Sequence, residues 1–346
     1  MDLNAAATRE RIAAFVRAAA QADAVEITRL VRMSGGAVQE NWALDATVKG
    51  GKHSGARQWV LRTDAQARVE ASLKRSEEFA ILQVAHAAKL GAPQPLFLCS
   101  DLSITGREFF VMQRLPGIAS GHRVTREAAL VPDRARLARE LAENLARLHA
   151  IRPPHPQLPF LKTMHARDNI AHYRAYLDQL SEAHPALEWG LRWCELNAPR
   201  DEETTFIHRD YRTGNYLVHE GRLAGMLDWE FCAFGNPLED VGWIHARCWR
   251  FAGKQMQCGG IAPAEDFLAP YQRASGRTVS SEALVYWQVM AHVRWAVIAL
   301  QQAQRHLSGV EPSLELALTG RIVAELEHEI LELTKAQPPI HADTRR

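Results

Sequence analysis

The stretch Phe206-Ile207-His208-Arg209-Asp210-Tyr211-Arg212-Thr213-Gly214-Asn215-Tyr216-Leu217-Val218 decides how this chain is read. It sets His-x-Asp-x-x-x-x-Asn between two short apolar runs, and Asp228, in Met226-Leu227-Asp228-Trp229-Glu230, follows thirteen residues after Asn215. The flanking runs predict a small β island of Thr205–Ile207, Tyr216–His219 and Leu223–Leu227. The spacing suits phosphoryl transfer, in which one aspartate takes the proton of an attacking hydroxyl while an asparagine and a second aspartate hold magnesium. Asp210 is then the candidate base. Asn215 and Asp228 are candidate Mg²⁺ ligands, offering the oxygen atoms that this hard cation prefers. His208 reads as a residue that holds the loop, since Asp210 already supplies a base.

Upstream, Ala5 to Ala20 has the pattern of an amphipathic helix. Glu26–Met33, Asn41–Val48 and Gln58–Thr63 read as strands, the last two joined by a Gly/Lys/Ser turn at 50–55. A long helix is expected over Ala65–Leu90, then strands at Leu96–Cys99 and Arg107–Gln113. Beyond Pro116 the pattern is mostly helical. Leu137, Leu141, Leu145 and Leu148 mark a helix over Leu137–His149. Helices are expected again from Asp240 to about Leu333. The order predicts an α+β fold with an N-terminal lobe over 1–113 and a helical C-terminal lobe over 114–346, the boundary falling in Met112–Gly117.

Composition narrows the class. Lys+Arg total 41 and Asp+Glu 40, which gives no overall attraction to nucleic acid or to acidic membranes. The five cysteines are odd in number and lack a CxxC pair, so a disulfide framework or zinc site is not expected. There is no signal-peptide pattern and no run of 18 apolar residues, so a cytoplasmic protein without a membrane span is expected.

Phe206–Gly242 resembles the Brenner-type motif of the aminoglycoside phosphotransferase and choline kinase superfamily. The run Asp228-Trp229-Glu230…Gly235-Asn236-Pro237…Glu239-Asp240-Val241-Gly242 is similar to that family's DWE…GDPxxDL segment. More narrowly, the chain resembles phosphotransferases related to kinase domains fused to some acyl-CoA dehydrogenases, over roughly residues 25–335. Arg209 departs from the glycine, and Asn236 from the aspartate, that many members carry. The resemblance implies a bilobal, protein-kinase-like fold with a small antiparallel-sheet N-lobe, and ATP and Mg²⁺ as cofactors.

A nucleotide lobe needs a flexible loop, a cation and an acid that positions it. Ser34-Gly35-Gly36-Ala37 is the candidate loop, its glycines letting backbone N–H groups approach phosphate. In Trp59-Val60-Leu61-Arg62, Arg62 stands where a lysine is usual, and Val60 shares its strand face. Val60 would then meet adenine and Arg62 the phosphates. Glu78, on one helical face with Leu82 and Ala85, is the candidate acid, with Glu77 as the alternative. The hinge resemblance of Phe109–Gly117 implies adenine contacts with backbone near Gln113 and Leu115.

The base implies a small-molecule hydroxyl acceptor. Arg247, Arg250, Lys254, Arg273, Arg277 and Arg294 outnumber Glu265, Asp266 and Glu282 between Trp243 and Leu300. That tilts the expectation toward an anionic or neutral acceptor, a hydroxy-acyl thioester by family analogy. Trp243, Trp249, Trp287 and Trp295 add aromatic surface or core. Two other readings stand: a non-catalytic nucleotide-binding module, motivated by Arg62, and an aminoglycoside-type antibiotic kinase.

Overall fold

The computed structural model describes residues 3–33, 39–64, 73–200 and 203–335. The chain divides into two compact units. The first comprises Met1–Gly117, Pro156–Phe160 and Ala224–Phe231; the second comprises Ile118–His155, Leu161–Leu223 and Cys232–Arg346. The change of unit at residue 117 lies in the expected boundary segment. The return of Ala224–Phe231, with Asp228, to the first unit has no counterpart in a division into 1–113 and 114–346.

In the first unit the elements run α1 (Ala6–Ala19), β1 (Ala24–Arg32), β2 (Gln39–Lys49), β3 (Gly55–Asp64), α2 (Arg75–Ala87), β4 (Pro95–Cys99), α3 (Leu102–Thr105) and β5 (Phe109–Gln113). The strands form one antiparallel sheet in the order β1-β2-β3-β5-β4. Side chains alternate across a strand. Trp42, Leu44, Trp59, Leu61, Phe109 and Val111 therefore form one core face, and Ile12 and Val16 of α1 pack in the same cluster. The same alternation sends Val60 and Arg62 to the opposite face, where both are buried.

Helix α2 begins at Arg75 rather than Ala65, and 65–72 lie outside the described residues. The Glu77 carboxylate accepts the Lys74 backbone N–H at 2.8 Å, which caps the helix start. The first turn is thus fixed by a side chain three residues in, a signal weaker in sequence than the apolar periodicity that precedes it.

The second unit carries α4 (Gly121–Arg126), α5 (Arg134–Leu148), β6 (Thr163–Met164), α6 (Ala166–Leu177), α7 (Pro185–Leu196), β7 (Thr205–Ile207), β8 (Tyr216–His219), β9 (Arg222–Met226), β10 (Ala233–Gly235), α8 (Leu238–His245), α9 (Glu265–Ser275), α10 (Ser281–Leu307), α11 (Leu314–Arg321) and α12 (Val323–Lys335). The division between units runs through β9. β10 pairs antiparallel with β7 and parallel with β6. Residues 246–264 are turns and a short 3-10 segment instead of the expected helix. Glycines explain this. A Cβ on Gly253 would lie 2.0 Å from the Gly260 carbonyl oxygen, and Gly260 itself holds φ +76°.

Helix α10 is the spine of this unit. Its buried face packs against α7, α8, α11 and α12 around Trp287, Val289, Met290, Val293 and Val297. By length and composition α10 is the one described helix that could cross a membrane, and 61% of its apolar window is buried inside the protein.

Candidate active site

Within the first unit, Arg62, Glu78 and Asp228 come together. Arg62, opposite Asn41 in the β2–β3 register, directs Nε to Glu78 Oε1 at 2.9 Å. Its Nη1 donates to Asn41 Oδ1 at 3.2 Å and lies 3.6 Å from Asp228 Oδ1. Its Nη2 is buried and has no acceptor among the described residues. Burial works against the Arg62 charge, but Glu78, Asp228 and Glu230 prevail and hold its pKa above the ordinary arginine range.

Glu78, not Glu77, is the acid on this cation. Glu78 is shared with a second buried arginine, Arg75, which also reaches Asp64 at 2.9 Å. Glu230 lies buried beside this group and accepts a hydrogen bond from Gln39 Nε2. Burial, with Glu78 and Asp228 nearby, pushes Glu230 up to about 7 against the pull of Arg62. Arg75 and Glu230 were given no role by sequence reasoning. The Arg75–Glu78 spacing of three is the signal that could have found the first. Val60 is buried opposite Met112 of β5. The Gln113 amide is taken by the Gln94 carbonyl at 2.9 Å, so an adenine contact at 113 would use the carbonyl. Leu115 follows β5 and is half-buried. Gly35 and Gly36 lie outside the described residues.

Within the second unit, the loop after β7 carries Asp210 and Asn215. Asp240 of α8 grips its backbone, accepting the His208 N–H at 2.8 Å and the Arg209 N–H at 2.7 Å. His149 Nε2 is 3.1 Å from the same carboxylate, and its Nδ1 is 2.8 Å from the Tyr271 hydroxyl. Burial would raise Asp240, yet His149 and the loop amides hold it below its ordinary value. Burial also pushes His149 down. His208 is fully buried and its Nδ1 accepts the Asp210 N–H at 3.2 Å, so it holds the loop. Tyr211 donates to the Leu141 carbonyl at 2.8 Å and Thr213 to Gly259 at 2.7 Å.

The Asp210 carboxylate is held by three donors. Oδ1 accepts from Arg212 Nε at 3.0 Å and from Trp243 Nε1 at 2.9 Å. Oδ2 accepts from Asn215 Nδ2, which also reaches the Asp210 carbonyl at 3.0 Å. The Asn215 amide therefore spends its donor on the loop and keeps its carbonyl oxygen as an acceptor. The Arg212 guanidinium stacks 4.2 Å over the Trp249 ring. Arg209 holds left-handed backbone at φ +64°, the place where the resemblance expects glycine. Its guanidinium is satisfied by Glu239 at 2.9 Å and Asn169 at 2.9 Å.

The charge tally that favoured an anionic acceptor is reduced by these pairings. Arg247 meets Glu329 at 3.2 Å, Arg277 meets Glu203 at 2.7 Å, and Arg294 lies 3.5 Å from Glu239. Arg250 has no carboxylate within ion-pair distance among the described residues; its Nη2 donates to the His245 carbonyl at 3.0 Å, and burial holds its pKa below the ordinary arginine range, with Glu329 pulling the other way. Trp243, Trp249 and Trp287 are buried, with Trp295 packed against the Trp243–Trp249 cluster, so these rings are core.

Asn215 and Asp228 belong to different units, and each offers an oxygen suited to Mg²⁺: the Asn215 carbonyl just described and the Asp228 carboxylate, whose side chain is 38% exposed. Asp228 also holds left-handed backbone, at φ +57°. Such strain in a non-glycine residue clusters at functional sites.

A model of a phosphotransferase enzyme family matches residues 29–285. The chain is 26% identical over 275 residues to human acyl-CoA dehydrogenase family member 11, and 28% identical over 284 residues to the chicken protein of that name. These matches cover 75% and 76% of this chain but only 35% and 36% of the relatives. Among solved structures, a provisionally named aminoglycoside phosphotransferase from Ralstonia eutropha superposes with a TM-score of 0.74 at 19% identity, covering 95% of this chain and 98% of that one. A choline/ethanolamine kinase family protein from Mesorhizobium loti gives 0.60 at 16% identity, with 95% of each chain covered. The aminoglycoside phosphotransferase APH(4)-Ia, in a mutant bound to AMP-PNP and hygromycin B, gives 0.59 at 15% identity over 90% of this chain and 95% of that one. The α+β, protein-kinase-like fold expected from the motif is the fold of these neighbours, and the chain belongs to the phosphotransferase enzyme family.

Proposed function

We propose that this chain is an ATP- and Mg²⁺-dependent phosphotransferase that moves the γ-phosphate to a hydroxyl of a small molecule, with Asp210 as the base. The observation that carries the reading is the Asp210 carboxylate. Arg212 and Trp243 occupy Oδ1, while Oδ2 has one donor among the described residues, Asn215. A carboxylate oxygen has about two lone-pair sites. Oδ2 therefore keeps one for an acceptor hydroxyl, and the donors on Oδ1 fix its direction. Orienting the nucleophile in this way is the main task left to the protein when phosphoryl transfer is loose and dissociative.

Arg62, aligned by Glu78 and with Nη2 lacking a protein partner, would clamp phosphate oxygens; Val60 would pack on adenine, with backbone at Gln113 and Leu115 at its edge. Gly35 and Gly36 would supply the loop over the phosphates. Asn215 and Asp228 would hold Mg²⁺, which supplies charge neutralisation between the β- and γ-phosphates.

For the acceptor, a hydroxy-acyl thioester or another anionic or neutral alcohol fits Arg212 beside the base. Support for the thioester comes from the relatives' name, acyl-CoA dehydrogenase family member 11. A polycationic aminoglycoside would meet the Arg212 guanidinium there. The test is ADP release from Mg·ATP with 3-hydroxybutyryl-CoA, glycerol and kanamycin as acceptors, for the wild type and Asp210→Asn. Turnover with at least one acceptor, reduced by about a thousandfold or more in the variant while nucleotide binding persists, is expected. Equal turnover in the variant excludes Asp210 as base, and kanamycin as the best acceptor would make the chain an antibiotic kinase.

A further inference from the structure

We infer that Arg294, in the middle of α10, is a positioning residue for Asp210, an inference that rests on Asp210 being the base. Three contacts meet at its side chain. Its Nη1 donates to the carbonyl of Arg209, the residue that immediately precedes Asp210. Its guanidinium carbon stands 4.5 Å over the Trp243 ring. The indole N–H of that ring donates to Asp210 Oδ1 at 2.9 Å. One guanidinium thus holds the base from two sides, through the backbone before it and through the indole beside it.

The energetics separate this role from simple packing. Arg294 is 6% exposed, and the carboxylate nearest to it, Glu239, is held more closely by Arg209, at 2.9 Å against 3.5 Å. Burial, with Arg209 adding repulsion, holds the Arg294 pKa below the ordinary arginine range. A buried cation with half a counter-ion costs stability, and an apolar side chain of similar length would suit the face of the buried Trp243 ring. What the cation contributes instead is geometry. Its flat face sets the plane of Trp243. Its N–H draws the Arg209 carbonyl toward α10, which orients the peptide that leads into Asp210. Among the described residues Arg294 makes no hydrogen bond or ion pair with the Asp210 carboxylate; its contacts reach Asp210 through those two neighbours, and the Asp210 charge adds a longer-range attraction.

The experiment uses the full chain, with whichever of the three acceptors above turns over fastest. Arg294→Met should lower kcat by about thirtyfold to a hundredfold, the size expected when a catalytic group is misplaced by roughly an ångström. The KM for the acceptor and the Kd for a fluorescent ATP analogue should stay within about twofold, since neither ligand is placed on Arg294. The urea midpoint should be unchanged or higher. Arg294→Lys keeps the cation and a donor for the Arg209 carbonyl and should recover most of the kcat. Trp243→Phe keeps a ring under Arg294 but removes the indole N–H and should lower kcat without moving KM. Wild-type kcat in the Met or Phe variant, or a Lys variant no better than Met, would overturn the assignment. So would a kcat loss matched by equal losses in nucleotide binding and urea midpoint. If Asp210→Asn itself turns over like the wild type, the base assignment has failed first, and that result is distinct from all of these.

Discussion

Arg209 and Asp228 carry the strain of the candidate site, both holding the left-handed backbone that glycine adopts without penalty. For Arg209 the side chain explains why the strain is tolerated. Arg209→Gly would relieve about 1 kcal/mol of backbone cost but would leave Glu239 and Asn169 without their closest partner. A net loss of about 2 kcal/mol is expected from the broken buried pair, read as a lower urea midpoint; a more stable glycine variant would show that backbone strain dominates. Glu78→Gln tests the other unit. It leaves Arg62 and Arg75 short of a shared carboxylate, so a loss of about 3 kcal/mol is expected, with weaker ATP-analogue binding. Stability and binding both unchanged would remove Glu78 from the site. Arg62 and Glu78 were readable because a strand face and a helix face point them inward. Trp243 was not readable as a partner of Asp210, since it lies 33 residues away and only the fold makes them neighbours.

Gly242 governs the approach of α8 to α10. A Cβ there would fall 2.4 Å from the Trp287 Cβ and 2.6 Å from its backbone carbon, and backbone cannot step aside as a flexible side chain would. Gly242→Ala should therefore push the helices apart at a cost of about 2 kcal/mol or more. Because Trp243 is the next residue, kcat should drop as well. A variant with wild-type stability and kcat would mean that α8 can shift without disturbing Asp210. At this scale the sequence was informative wherever an element is long. The alternation in β2 and β3 and the leucine spacing in α5 marked them within a few residues. β6 and β10, of two and three residues, exist because β7 pairs with one and that one with the other, and so short a pattern has no period to detect. The helical run expected from Asp240 onward is interrupted at 246–264, where Gly253 packs on the backbone of Gly260.

Across the whole protein, buried histidines set an acid limit. Burial holds His245 and His292 at about 4, against 6.5 for a free imidazole. The unfolded chain thus takes up protons from about pH 6.5 downward while the folded chain refuses them until about pH 4. Stability from this source is complete above pH 6.5 and declines as pH falls toward 4, by up to roughly 3 kcal/mol per histidine. Urea midpoints between pH 7.5 and 5 should fall, and less steeply for His292→Leu; identical slopes would show that this histidine does not set the limit. The path of the chain has a consequence of another kind. It visits the first unit in three separate segments, the last of them only eight residues long, and Asp228 and Glu230 arrive with that last visit. Severing the chain once after Gly117 would release a sheet in which Arg62 kept Glu78 but had lost Asp228, and Gln39 had lost Glu230, so the piece that reads as an independent module along the sequence is covalently incomplete.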